Sequence, residues 1–193
     1  MDAGLTEVFS MAGGIKGWQG ATAAGAPEAG MAHFAAAVDL EQLVALAWGL
    51  EEGSRLFYHG VEERFASLPA GMDLFKELAT AEVRHKQYLL DAYGAVTGKE
   101  LDFETHRQRL GSAISGEFME GGIPVAMGLA WAEERTAQEI LDFAMALEVN
   151  AYDLYVKMGR KVENENVKKI FKTLANEEQI HLQRLAKLMD QRQ

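Results

Sequence analysis

The chain has 193 residues, with 29 acidic and 19 basic side chains, five histidines, no cysteine and a formal net charge of −10. The absence of cysteine excludes disulfide scaffolds, thiolate zinc sites, iron–sulfur clusters and cysteine nucleophiles, so oxygen and imidazole ligands must hold any metal. The acidic surplus argues against sequence-independent nucleic-acid binding, and neither a membrane span nor a signal peptide is apparent. We therefore expect a cytoplasmic protein.

Two regions differ in composition. Residues 1–34 form a leader rich in Gly and Ala with few charges, whereas residues 35–193 carry charged residues at helical spacing. The boundary lies within Gly20–Ala37, a stretch of Gly, Ala and one Pro that is typical of a linker.

Apolar residues recur near a 3.6-residue period in four long segments after the leader. The predicted helices cover, in chain order, about Val38–Ser67, Met72–Val96, Thr136–Met158 and Val167–Met189. The breaks within the two helix pairs are Leu68-Pro69-Ala70-Gly71 and the polar loop Gly159–Asn166. Because both breaks are short, each pair should form an antiparallel hairpin.

The middle segment, Thr97–Arg135, is long enough to cross from one end of a bundle to the other. Short helical pieces are expected within it at Phe103–Leu110 and Val125–Ala132. The predicted fold is therefore all-α, a four-helix bundle of two helical hairpins joined by a long crossover with short helices.

The two halves of the bundle share a repeat. Residues 74–85 and 170–181 repeat Phe, Lys, Leu, Ala, Glu and His in register at an offset of 96. Upstream, Leu50-Glu51 with Tyr58 recurs as Leu147-Glu148 with Tyr155 at an offset of 97. Each half thus has one Glu and one Tyr on its first helix and Glu-x-x-His on its second.

This repeat predicts a metal centre. Residues three apart on a helix point to nearly the same side, and carboxylates within apolar stripes are costly to bury unless cations compensate them. One Glu from each of two helices, with Glu-x-x-His from each of the other two, is the pattern of dinuclear carboxylate bundles, and such ligands suit iron or manganese. The predicted ligands are Glu51, Glu82, His85, Glu148, Glu178 and His181.

Neighbouring residues leave alternatives open. Glu52 and Glu177 compete with the assigned ligands, but the in-register Leu-Glu pairs and the i+3 spacing to histidine favour the set above. Tyr58 and Tyr155 are either core aromatics with bonded hydroxyls or residues whose hydroxyls hydrogen-bond to ligand carboxylates.

From Ala35 to the C-terminus the chain resembles the rubrerythrin branch of the ferritin-like superfamily, on the Glu, Tyr and Glu-x-x-His residues of the repeat. The resemblance implies a ferritin-like bundle around two iron ions, for which manganese or zinc could substitute. It also implies oxidation of the diferrous form by hydrogen peroxide or dioxygen. In that family a rubredoxin domain with four cysteines is the entry point for electrons. Because this chain has no cysteine, the resemblance implies an external electron-donor protein. We also expect a homodimer.

The resemblance has one departure within the bundle. Classical rubrerythrins carry an additional Glu three residues after the third-helix Glu, where this chain has Ala151, and the first-half counterpart is Ser54. The centre should therefore be more symmetrical than in those proteins.

The leader has a resemblance of its own. Residues 3–20 are similar to the last strand and turn of a rhodanese domain, as in rhodanese–rubrerythrin fusions, and Glu120-Gly121-Gly122 with Ala130–Glu133 is similar to the same fusions. The alternative is a Gly-rich leader packed on the bundle through Val8, Ile15 and Trp18.

Three functions fit these expectations. The first is a non-haem di-iron enzyme that reduces peroxide or dioxygen. The second is a ferroxidase or iron-handling protein, and the third is a non-catalytic metal-binding bundle.

Overall fold

A computed structural model describes residues 39–65, 67, 69–104 and 114–190. The predicted leader, residues 1–34, and the linker in Gly20–Ala37 lie outside these residues. The described helices are α1 (Leu40–Glu62), α2 (Pro69–Thr97), α3 (Val125–Glu133), α4 (Ala137–Lys161) and α5 (Glu165–Asp190). The strands β1 (Phe118–Met119) and β2 (Ile123–Pro124) form a short antiparallel hairpin.

The first hairpin begins at a side-chain cap. The carboxylate of Asp39 accepts a hydrogen bond from the backbone N–H of Gln42 at 2.8 Å, which satisfies a free donor at the start of α1. The helix ends at Glu62, earlier than predicted, and one 3₁₀ turn follows at Glu63–Phe65. The predicted break at residues 68–71 is placed too late, because α2 already begins at Pro69; proline is favoured in the first turn, where its missing N–H costs nothing.

The second hairpin is tighter than predicted. A capping box between Thr136 and Glu139 starts α4, which continues to Lys161. The carboxamide oxygen of Asn164 accepts from the backbone N–H groups of Asn166 at 2.9 Å and Val167 at 3.3 Å, and α5 begins at Glu165. The loop is therefore only residues 162–164, shorter than the predicted Gly159–Asn166.

The two hairpins pack into the predicted all-α ferritin-like four-helix bundle. Helix α1 packs along α2, α4 packs along α5, and α2 also contacts α5 across the bundle. Two apolar clusters fill the interior. One contains Leu46 and Phe171, and the other contains Phe57 and Leu185.

The crossover is more structured than predicted. The expected helix at Val125–Ala132 is confirmed as α3, whereas only residues 103–104 of Phe103–Leu110 are described, and these are helical. The β1–β2 hairpin was not predicted. Because both of its strands have only two residues, they carry too little alternation to be read from the sequence.

Within the described ranges, no helix combines the length and apolar character that a membrane crossing requires.

Candidate metal centre

The four long helices bring all six predicted ligands together in the bundle interior. Helix α1 carries Glu51, α2 carries Glu82 and His85, α4 carries Glu148, and α5 carries Glu178 and His181. None of the six is more than 4% exposed to solvent. The Glu-x-x-His spacing works as expected, since each histidine contacts the Glu of its own motif at 3.0–3.1 Å.

His85 lies at the centre of one half of the cluster. Its Nδ1 atom is 3.1 Å from Glu51 Oε2, 3.0 Å from Glu82 Oε2 and 3.1 Å from Glu178 Oε1. One ring nitrogen carries at most one proton, so it cannot donate to three carboxylates. Converging carboxylate oxygens and one imidazole nitrogen are the surroundings that a metal cation requires.

His181 occupies the equivalent place in the other half. Its Nδ1 atom is 2.9 Å from Glu148 Oε2 and 3.1 Å from Glu178 Oε2. The rings of His85 and His181 stack with their centroids 5.4 Å apart. The repeat in the sequence thus becomes an approximate two-fold arrangement around the cluster.

Among the described residues the donor atoms form three overlapping groups. Within each group the ligand atoms lie no more than 4.8 Å from one another. The groups are Glu51, Glu82, His85 and Glu178; His85, Glu178 and His181; and Glu82, Glu148 and His181. Glu82 and Glu178 each belong to two groups, and Glu178 contacts both histidines, so these two carboxylates link the donors of the two halves.

Unsatisfied polar atoms support a metal at this place. Among the described residues, Glu51 Oε1, Glu82 Oε2, Glu178 Oε1 and His85 Nε2 are buried without a hydrogen-bond partner. Glu82 Oε2 and Glu178 Oε1 are both close to His85 Nδ1, but in neither case is the geometry that of a hydrogen bond. Buried polar atoms normally have partners. Adjacent ligands about 2.1 Å from one ion and at right angles lie about 3.0 Å apart, which is close to the separations measured here. The residues present therefore fit two cations.

The pKa values of the predicted ligands also support a bound cation. Burial and the charge of Glu148 raise the pKa of Glu178 from 4.5 to about 7. Burial lowers the pKa of His181, but bonds to Glu148 and Glu178 outweigh it and raise this pKa from 6.5 to about 10. Burial and Glu82 raise the pKa of Glu51. Without metal, the cluster thus retains protons that a bound cation would displace.

The two tyrosines of the repeat have different surroundings. The hydroxyl of Tyr58 donates to Glu148 Oε1, so it bonds a predicted ligand of the opposite half. The hydroxyl of Tyr155 is buried without a hydrogen-bond partner among the described residues. The hydrogen bond to a ligand carboxylate, one of the two alternatives for these tyrosines, is present at Tyr58 and not at Tyr155.

The competing carboxylates lie elsewhere. Glu52 binds Arg55 at 2.7 Å and also accepts from Lys86. Glu177 lies 3.8 Å from Arg84 at the partly exposed surface. Each therefore has a basic partner outside the cluster.

One buried carboxylate near the cluster was missed as a site residue. Glu120, in the turn between β1 and β2, is only 3% exposed and accepts a hydrogen bond from Ser54. Glu120 has no counterpart in the repeat, so comparison of the halves could not find it. The available signal was an acidic residue directly before Gly121-Gly122 in an otherwise apolar stretch.

On the side of the bundle opposite the β1–β2 hairpin, a cleft of about 480 Å³ lies against α2 and α5. His181 is part of its lining, together with charged residues that include Lys76, Arg84 and Arg184. The cleft therefore borders the ligand cluster at His181.

A ferritin-like bundle with a central carboxylate–histidine cluster has the architecture of dinuclear metal proteins. Comparison with known families gives a more specific match for part of the chain. Residues 139–193 match the model of the Rubrerythrin family, a segment that includes Glu148, Glu178 and His181. The match does not extend to residues 1–34, so their likeness to a rhodanese domain stays a prediction. No curated protein matches the chain.

Proposed function

We propose that the chain is a rubrerythrin-type di-iron protein that reduces hydrogen peroxide, or dioxygen, with electrons from an external donor protein. The observation that carries the proposal is the set of overlapping donor groups that Glu82 and Glu178 link, since each of these carboxylates belongs to two of the groups. Carboxylate and imidazole ligands without thiolates favour iron or manganese, and the match of residues 139–193 to the Rubrerythrin family favours iron.

Reduction of one peroxide molecule breaks its O–O bond and consumes two electrons and two protons to give two water molecules. Ferrous iron held by the predicted ligands would supply these electrons, one from each of two ions, and the donor protein would replace them. Glu82 and Glu178 would contribute to both ions, since each belongs to two donor groups. Burial and the neighbouring Glu148 charge raise the pKa of Tyr58, so this phenol keeps its proton and continues to donate to Glu148.

Access is the second requirement. Peroxide is small and polar, and the cleft at His181 has a charged lining that fits such a molecule. The two apolar clusters pack around the remaining helix faces and keep water away from the metal ligands. Electrostatic interactions among the ligands are therefore stronger than they would be in water.

The test is anaerobic loading with ferrous iron, followed by stopped-flow mixing with peroxide or with dioxygen. We expect two irons per chain and oxidation that is at least about tenfold faster with peroxide. The double variant Glu82→Ala/Glu178→Ala is the control for iron in solution. Equal rates with the two oxidants would refute peroxide reduction. Faster oxidation by dioxygen, with release of ferric iron, would favour an iron-handling protein.

The mass in solution separates the same alternatives. The proposal expects a homodimer, with twice the 21.2 kDa of the chain. A closed cage of many subunits would instead favour iron storage.

A further inference from the structure

The crossover hairpin carries a fifth carboxylate towards the ligand cluster. Glu120 is 3% exposed, and its Oε2 atom accepts a hydrogen bond from the hydroxyl of Ser54, itself 1% exposed. Ser54 lies three residues after Glu51 on α1, so the two side chains share a helix face. The carboxylate of Glu120 is thus held one helical turn from a predicted ligand.

The backbone is shaped to place it there. A Cβ atom at Gly53 would lie 2.0 Å from the carbonyl oxygen of Phe118, so only glycine lets β1 approach α1 this closely. On the other side of the turn, Gly121 has φ +81°, and a Cβ there would lie 2.6 Å from Asn150 Nδ2 on α4. Gly53 and Asn150 are equivalent positions of the repeat, 97 residues apart. The hairpin therefore contacts both halves, at positions two residues after the predicted ligands Glu51 and Glu148.

The small side chains of the repeat leave room for this carboxylate. Ser54 and Ala151 are also equivalent positions, and both are buried. Ser54 directly follows Gly53, and Ala151 directly follows Asn150, the two residues that the hairpin contacts. A carboxylate from the crossover thus lies beside positions where the helices themselves provide none.

The charges around Glu120 are those of the predicted ligands. Burial and the negative charge of Glu82 raise its pKa, and Glu178 and Glu148 add to the effect. In the described part of the chain, no Lys, Arg or His forms an ion pair with it. A buried carboxyl group beside other carboxylates must either keep its proton or pair with a cation, and the cluster is where the nearby structure can hold a cation.

We propose that Glu120 is a fifth carboxylate of the metal centre, brought in by the crossover hairpin to bind one of the two ions and oriented by Ser54. This inference rests on the proposed dinuclear centre. Four carboxylates balance two divalent ions, so a fifth makes the centre favour a pair of higher total charge.

The test uses Co²⁺ as the probe, because its visible absorption reports ligand number and binding can be followed without catalysis. The full-length chain is titrated with Co²⁺ as wild type, Glu120→Gln, Ser54→Ala and the double variant. We expect Glu120→Gln to lower the affinity for one of two ions by about 10- to 100-fold and to change the absorption of that ion. Ser54→Ala should have a smaller effect, and the double variant should equal Glu120→Gln.

Controls separate this role from general damage. Glu117→Gln, a like substitution at an exposed position of the same crossover, should bind two Co²⁺ ions as the wild type does. Glu120→Asp, which shortens the side chain while keeping its charge, provides a second variant if Glu120→Gln does not fold. It should still bind two ions, with altered absorption.

The outcomes are distinct. Two ions of unchanged affinity and absorption in Glu120→Gln would overturn the role of Glu120 and leave the proposed function intact. Lower affinity with unchanged absorption would also overturn it, because Glu120 would then act on the centre without binding metal. A wild-type chain that binds no metal would overturn both proposals.

Discussion

Glu178 offers a direct test of the electrostatic account of the cluster. Its pKa is raised from 4.5 to about 7 by burial and by Glu148, a shift that corresponds to about 3 kcal/mol. A carboxyl group with a folded pKa above its unfolded value contributes stability only at low pH, and loses it as the pH rises from about 4.5 to about 7. The metal-free protein should therefore be less stable at pH 8 than at pH 5.

Glu178→Gln removes this loss, because glutamine resembles the protonated carboxyl group. At pH 5 the metal-free variant and wild type should have similar stability. At pH 8 the variant should be more stable by up to about 3 kcal/mol, or roughly 6–12 °C in Tm for a domain of this size. His181 also loses stabilisation between its unfolded pKa of 6.5 and its folded value of about 10, so part of the decline remains in the variant.

Thermal unfolding followed by circular dichroism, after removal of metal with a chelator, measures these differences. Glu177→Gln is the matched control, since the neighbouring carboxylate is partly exposed and only 3.8 Å from Arg84; it should change stability by less than about 1 kcal/mol at either pH. Mn²⁺ at a hundred times its dissociation constant should cancel most or all of the difference between Glu178→Gln and wild type at pH 8, because the wild type then gains about 3 kcal/mol. A Glu178→Gln variant that is no more stable than wild type at pH 8 without metal would refute the reasoning.

Two further predictions follow from the geometry. Glu178→Ala or Glu82→Ala should weaken the binding of both ions, whereas Glu51→Ala should weaken only one, as counted by Mn²⁺ titration; loss of a single ion in all three variants would contradict the shared positions. Tyr58→Phe should lower the free energy of unfolding of the metal-free protein by about 1–2 kcal/mol, because Glu148 loses a buried donor. Tyr155→Phe should lower it by less than about 0.5 kcal/mol, and equal losses in the two variants would show that the two hydroxyls have equivalent partners.

The ligand cluster could be predicted from the sequence because the internal repeat places the same ligand types at matching positions in both halves. Glu51 and Glu148 were recognisable because they interrupt apolar stripes at matching positions, and each Glu-x-x-His lies on one face of a long periodic helix. The structure brings these side chains together because the bundle is regular and each pair of helices is joined by a short connection. Local periodicity and a tight turn were enough to predict such contacts.

The remainder depends on contacts between segments far apart in the chain. The hydrogen bond between Ser54 and Glu120 joins residues 66 apart, and no periodic pattern relates them. The difference between Tyr58 and Tyr155 has the same origin. Their sequence contexts match, but only Tyr58 reaches a carboxylate of the other half. A repeat predicts equivalent positions, whereas the contacts depend on how the whole bundle packs.

The single crossover makes the two sides of the centre different, although the four helices are approximately symmetric. On one side the β1–β2 hairpin rests against Gly53 and Asn150 and holds the buried Glu120 against Ser54, one helical turn from Glu51. On the other side, against α2 and α5, the cleft at His181 has no such cover within the described residues. A small oxidant should therefore arrive from the α2–α5 side, while the hairpin side contributes the additional carboxyl group of Glu120. Because one connection produces both differences, a change in the hairpin should alter metal binding without closing the path to His181.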